Sequence, residues 1–356
     1  MPGKRRLQEY QLIKKISKED PRIDGSDLPP AIIHLKDTCG SFAFDYQSIY
    51  SPAGLNPDNT GVIGLDDFDS SWGIWGHNLR KVLGANTEKV YATINGKAND
   101  SQLCFSSGEM FRLIESYITD NFGEKGKFRF VIAPDDTPYA CTCPSCTAIG
   151  NTEKNATPAV TELILRLSQR FPRHFFFTTS YLTTQQVTDK QLPPNAGVIV
   201  SAINFPLRRI DGKDAKEKAF AGQLEQWKNV TKNIYIWDYI NNFDDYLTPM
   251  PILKIARQRL QFFKQHGASG IFFNGSGYSY SSFDEMRTFV LSALLINPEL
   301  SVDNLTASFF NQEYPAAKKW LYDYYTDLEN GTQSGKRLGI YASIRESEKA
   351  YLTPEK

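Results

Sequence analysis

Residues Phe128 to Cys146 read FRFVIAPDDTPYACTCPSC, which sets a strand, a pair of acids and a cysteine cluster end to end. The apolar run Phe128-Arg-Phe-Val-Ile-Ala133 fits a short strand buried on both faces, because a strand with one wet face would alternate apolar and polar positions. Pro134 then ends it. Asp135 and Asp136 therefore stand just past the carboxyl end of an expected parallel strand, where open sheets and β/α barrels carry their reactive groups. A carboxylate after proline is equally at home in a turn or an N-cap, so the choice rests on the rest of the chain.

On both sides of this stretch strands and helices alternate. Upstream, Gly108 to Phe122 carries Met110, Phe111, Ile114, Tyr117 and Ile118 at helical spacing. Val90–Ile94 and Leu103–Phe105 flank Asn95-Gly96, a strong hairpin signal, and look like an excursion from the main sheet. Earlier still, Ala31–Leu35 is the first strand candidate. The Gly-, Asp- and aromatic-rich run Cys39 to Asn78 reads as a long irregular segment ending in SSWGIWGHNL, with Trp72, Trp75 and His77 clustered.

Downstream, Thr157-Pro158 opens a helix through Leu167, with proline in its first turn. Strands follow at His174–Ser180, Gly197–Ser201, Asn233–Tyr239 and Gly270–Asn274. Between them lie helices at about 216–230 and 252–266, the latter stopped by Gly267. Ser282-Phe-Asp-Glu285 reads as a capping box for a helix to Ile296. Seven or eight such units, each with a nearly all-apolar strand, predict an α/β fold, a (β/α)8 TIM barrel with a helical C-terminal extension. A doubly wound open sheet is the second choice, since no Gly-rich phosphate turn follows the first strand. The expected division is an arm or interdomain remnant at 1–28, a barrel at 29–299, and helices at 300–356 with Phe309, Phe310, Trp320, Leu321, Tyr324 and Tyr325 available for packing.

Composition narrows the function. Lys plus Arg equals Asp plus Glu, 40 against 40, so no global field recruits nucleic acid or an acidic membrane. No stretch reaches the length of a membrane span, and the start MPGKRRLQEYQLIKK lacks a signal-peptide core. The chain is therefore expected to be cytosolic or a piece of a longer protein. Aromatic residues make up 13% of it, and flat rings serve both aromatic cores and clefts that cover sugar faces.

If the barrel holds, one rim gathers the residues that follow its strands: His77, Asp135 with Asp136, Tyr181, Asn204, Asp238 with Tyr239, and Asn274. Carboxylic acids with hydrogen-bonding neighbours and no metal-binding His pair suit glycoside chemistry, and suit phosphoryl transfer poorly. Two adjacent carboxyls cannot both ionise cheaply, so one is expected to keep a proton and serve as an acid. An alternative pairs Asp136 as acid with Asp238 as nucleophile on neutral sugars. A non-catalytic glycan-binding barrel is a further one.

FVIAPDD with CTCPSC, NDSQLCFSSGEM before it, IYIWDY after it, and HGASGIFF with LLINPE resemble a family of TIM-barrel proteins grouped with glycoside hydrolases. It is known mainly as a domain of unknown function in polysaccharide-degrading bacteria. The resemblance runs from about Trp72 to Tyr325 and implies a catalytic barrel, a carbohydrate substrate, an exported bacterial protein, and a small α/β domain that usually precedes the barrel and is expected to be missing from this sequence. More distantly, PDD and WDY are similar to the O-GlcNAc hydrolase pattern, which implies Asp136 as general acid/base. The same pattern implies that Asp135 orients the 2-acetamido group and that Asp238 holds sugar hydroxyls. A still more distant similarity to α-glucuronidases implies an acidic sugar near Arg208 and Arg209.

Five cysteines cannot all pair within the chain, and Cys141, Cys143 and Cys146 crowd together. These three could face one structural zinc ion, with Cys104, His174 or water as fourth ligand. A disulfide within the loop and free thiols are the alternatives. No cofactor is expected for catalysis itself.

Overall fold

The structure, a computed structural model, describes residues 42–61, 63–84, 88–332 and 337–352. The expected arm and the Ala31–Leu35 strand lie outside the described residues. Nine strands follow in chain order: β1 (Tyr46–Tyr50), β2 (Trp72–Ile74), β3 (Tyr91–Ile94), β4 (Lys97–Leu103), β5 (Arg129–Val131), β6 (Phe175–Ser180), β7 (Ala196–Ser201), β8 (Asn233–Tyr239) and β9 (Gly270–Asn274). Seven form one sheet in the order β1-β9-β8-β7-β6-β5-β2, and β3 with β4 makes a separate hairpin. The fold is thus α/β, with seven sheet strands among the described residues where eight were expected.

The described residues divide into two compact units, one of Phe68–Ser201 with Phe220–Ile236, the other of the residues up to Asp67, Ala202–Ala219 and those from Trp237 on. In the first, β2, β5, β6 and β7 pair parallel in neighbouring register. Phe176, Phe177, Val198, Ile199 and Val200 are all 0 or 1% exposed, which is why these strands read as unbroken apolar runs. Strand spacing is tight enough to require glycine: a Cβ on Gly73 would lie 2.2 Å from Cε1 of Phe130, and one on Gly197 2.4 Å from the Asn233 carbonyl. The helix Gly108–Phe122 buries Met110, Ile114 and Ile118 at intervals of four, and Ser107 caps its first N–H groups. The hairpin turn at Asn95-Gly96 has φ of 51° and 74°, as a two-residue turn of that composition requires.

In the second unit β1 pairs parallel with β9. β1 falls inside the stretch expected to be irregular. Its buried Gln47 and Ser48 hid it, and Asp66 meets the strand there, its Oδ2 accepting from Gln47 N at 2.9 Å. The helix Leu253–Gln265 has no local cap; the buried Glu329 carboxylate accepts from Leu253 N at 2.8 Å and Lys254 N at 3.1 Å. Gly267, at φ 84°, closes its other end as expected.

Two local expectations fail. The helix Asp284–Ile296 starts without a capping box; Phe283 sits at its N-cap with φ 55° and no side-chain cap. Its half-buried ring packs 5.2 Å from Tyr325 and 6.2 Å from Phe310, so aromatic contact accompanies the helix entry in place of a Ser282 hydroxyl cap. Among the C-terminal helices Phe309, Phe310 and Tyr325 are buried, but Trp320 is 71% exposed. No described helix is long and apolar enough to cross a membrane.

Candidate active site

Phe130 and Val131 of β5 are fully buried, and the chain leaves the sheet through Ile132, whose N–H donates to Phe177 O at 2.7 Å. Pro134 is buried, Asp135 half-buried and Asp136 exposed, so the acids emerge one residue past the core. Asp135 is then fixed from two directions. Arg80 donates Nε at 2.8 Å and Nη2 at 2.6 Å to the same oxygen, Oδ2. The other oxygen, Oδ1, and the whole Asp136 carboxylate have no hydrogen-bond or ion-pair partner among the described residues.

The second clamp is Gln102, on β4 and only 1% exposed. Its Oε1 accepts from Asp135 N at 3.1 Å and Leu103 N at 2.9 Å. Its Nε2 donates to Asp135 O at 3.2 Å, Thr137 Oγ1 at 2.9 Å and Tyr139 O at 3.2 Å. The hairpin expected to be an excursion therefore grips the acid-bearing loop through one buried amide.

Arg80 also lines a cleft of about 530 Å³ together with Phe68, Trp72, Trp75, His77 and Asn78. Trp72 and Trp75 pack edge to face at 4.5 Å, and Phe68 meets Trp75 at 5.2 Å. His77 Nδ1 lies 2.6 Å from the Pro134 carbonyl, which can only accept, so Nδ1 carries a proton and Nε2 is left for another partner. The Tyr181 ring stands 5.9 Å from His77. Aromatic faces, a half-buried imidazole, a guanidinium and a fixed carboxylate together can cover an apolar sugar face and bond its hydroxyls.

Of the residues singled out in the sequence, His77, Asp135, Asp136 and Tyr181 thus belong to the first unit. Asn204, Asp238, Tyr239 and Asn274 belong to the second. Asn204 is exposed, and Tyr239 packs edge-on to Phe243 at 6.0 Å. Asn274 ends β9, its carbonyl accepting from Ile240 N at 3.1 Å. Asp238 is 1% exposed, and Arg259, equally buried, donates Nε to its Oδ2 at 2.9 Å and Nη2 to its Oδ1. That guanidinium is completed by the carbonyls of Phe205 and Pro206 and by the Phe205 ring 4.5 Å away. Both carboxylate oxygens of Asp238 are committed within the protein. Arg208 is likewise engaged, by Asp211, Asp214 and Glu217.

Cys104, just after β4, joins Cys141, Cys143 and Cys146, and the four sulfurs lie within 4.8 Å of one another. His174 is elsewhere: fully buried, it bonds the Gly123 carbonyl through Nε2 at 2.7 Å. Hydrogen bonds from Cys104 and Cys146 pull Cys141 down to about 2, aided by Thr93 N at 3.2 Å from its sulfur. In return Cys141 pushes Cys104 up to about 11, and Cys104 raises Cys146.

Residues 77–327 match the sequence profile of a family described as a domain of unknown function, DUF4838, in agreement with the resemblance drawn from the motifs. Solved structures with similarity include a GH5-4 broad specificity endoglucanase from Clostridium longisporum, at 10% identity and a TM-score of 0.34, covering 75% of this chain and 86% of that one. Another is ZgEngAGH5_4 in complex with a cellotriose, at 11% identity and a TM-score of 0.30, covering 75% and 98%. No curated protein matches the chain.

Proposed function

We propose, for a chain that belongs to the DUF4838 family, that it hydrolyses glycosidic bonds, with Asp136 as general acid/base and Asp135 as the carboxylate that orients the substrate. The observation that carries this reading is the unequal treatment of the two acids. Asp135 is held by Arg80 and Gln102 with one oxygen left open, while its exposed neighbour is untethered. An immobile acceptor suits a group that must polarise and aim a 2-acetamido N–H, and an accessible carboxyl suits proton exchange with the leaving oxygen. The aromatic cleft beside Arg80 supplies the surface for a sugar ring.

Substrate assistance is favoured over a two-carboxylate mechanism using Asp238, because a nucleophile needs a free oxygen and Arg259 occupies both. An amino sugar is favoured over a uronic acid, since Arg208 is already neutralised by three acids. Cleavage is read as exo-acting. The test is a panel of nitrophenyl glycosides with the purified protein. Turnover of an N-acetylaminosugar glycoside, inhibited competitively by an N-acetyl-thiazoline, is expected. Preference for a neutral glucoside would replace the substrate assignment, and binding of sugars with no hydrolysis across the panel would turn the protein into a glycan-binding module.

A further inference from the structure

The geometry points to a tetrathiolate zinc site formed by Cys104, Cys141, Cys143 and Cys146, which braces the β3–β4 hairpin against the loop that carries the acids. A zinc ion with four sulfur ligands at about 2.3 Å in a tetrahedron spaces the sulfurs about 3.8 Å apart. Cys104 Sγ lies 3.7 Å from Cys143 Sγ and 3.8 Å from Cys146 Sγ. A disulfide would need roughly 2.0 Å, and all four described cysteines are free. Sulfurs brought from positions 42 residues apart in the chain match the edge of a metal tetrahedron without bonding to one another.

The surroundings are those a doubly negative metal thiolate needs. Backbone N–H groups of Thr93 and Cys146 approach the sulfurs of Cys141 and Cys143 at 3.2 and 3.4 Å. The Ser106 hydroxyl lies 3.0 Å from Cys146 Sγ. Such donors spread the charge and aim the ligands. Three of the four cysteines are buried, which shields the site from exchange. Tetrathiolate cages take zinc or iron, and a site whose work is bracing needs no redox ion.

The consequence reaches the acids through covalent proximity. Cys104 follows Gln102 by two residues, and Cys141 follows Tyr139 by two, so the ion would tie together both partners of the Gln102 clamp. The zinc positions; it takes no part in the reaction.

The experiment is metal analysis of the full chain purified without chelator. About one zinc ion per chain is expected, released stoichiometrically when a mercurial reagent titrates the thiols of the wild-type protein. Cobalt exchanged into the site should give the intense sulfur-to-metal absorption of a tetrahedral thiolate. Cys104→Ser and Cys143→Ser should each lower the zinc retained during dialysis at least tenfold. Should these variants fail to fold, the wild-type titration and cobalt spectrum decide alone. A metal-free protein with titratable thiols, an intact mass showing disulfides, or bound iron in place of zinc would each overturn the inference. A zinc-loaded protein inert toward every glycoside would leave it standing while removing the hydrolase proposal.

Discussion

Replacing Gln102 with leucine is the sharpest single perturbation of the acid-bearing loop. Leucine is near in size, so the change removes five hydrogen bonds while filling most of the same space. Tyr139 is 52% exposed, and its carbonyl can turn to water. Leu103 is fully buried, and its N–H would lose its acceptor outright, while Asp135 loses partners on both its N–H and its carbonyl. One orphaned buried donor costs about 1–3 kcal/mol, and with the half-buried Asp135 groups added the loss comes to about 2–4 kcal/mol. Urea unfolding should show this as a lower midpoint at unchanged slope. Asp135 would then be held by Arg80 alone, and turnover should fall at least roughly tenfold with a smaller change in KM, as for a misplaced positioning group. A loss under about 0.5 kcal/mol with unaltered turnover would refute the clamp.

Other outcomes follow from the same geometry. Asp238→Leu or Arg259→Met alone should cost about 3–5 kcal/mol by stranding a buried charge, and the two combined should recover much of it; additive losses in that double-mutant cycle would deny the pairing. Gly197→Ala should destabilise by more than about 1 kcal/mol, because its Cβ meets the Asn233 carbonyl at 2.4 Å, and a neutral effect in thermal unfolding would contradict the strand spacing. The Arg208 guanidinium holds Asp214 below its ordinary 3.8, and the Lys213 N–H does so first for Asp211. Carboxyls lowered by folding lend stability above pH 3.8 that disappears as pH falls through their depressed values. Arg208→Gln should therefore start less stable at neutral pH and lose less between pH 4 and 2, and parallel acid-unfolding curves would argue against this.

The strands read most accurately from the sequence are those packed on both faces. β6 to β9 fall within a residue of the runs read from His174, Gly197, Asn233 and Gly270, because burial on both faces keeps most of their positions apolar. β1 escaped notice since the buried polar pair Gln47 and Ser48 breaks its apolar run, and Asp66, which accepts from Gln47 N, lies 19 residues on, beyond the reach of any local period. The acid pair was legible from a strand, a proline and two carboxylates in a row. Its supports were not. Arg80 lies 55 residues and Gln102 33 residues from Asp135, and a lone buried amide on a polar hairpin leaves no periodic trace. Cys104 was reachable only as one of three options for a fourth ligand, because it lies 37 residues before Cys141 and is brought to the cluster by the fold. The burial of Asp238 was hidden for a similar reason, since its partner Arg259 lies 21 residues on, as a buried base on the following helix.

The claim on which the functional account turns is that Asp136 handles the proton. Its most direct test is kcat/KM of Asp136→Asn against wild type on an activated and an unactivated N-acetylaminosugar glycoside. The account predicts a fall of about 10²–10⁴ on the unactivated substrate, a smaller one where the leaving group needs no proton, and retained binding of a thiazoline inhibitor. Equal rates for the variant and the wild type on both substrates would contradict it.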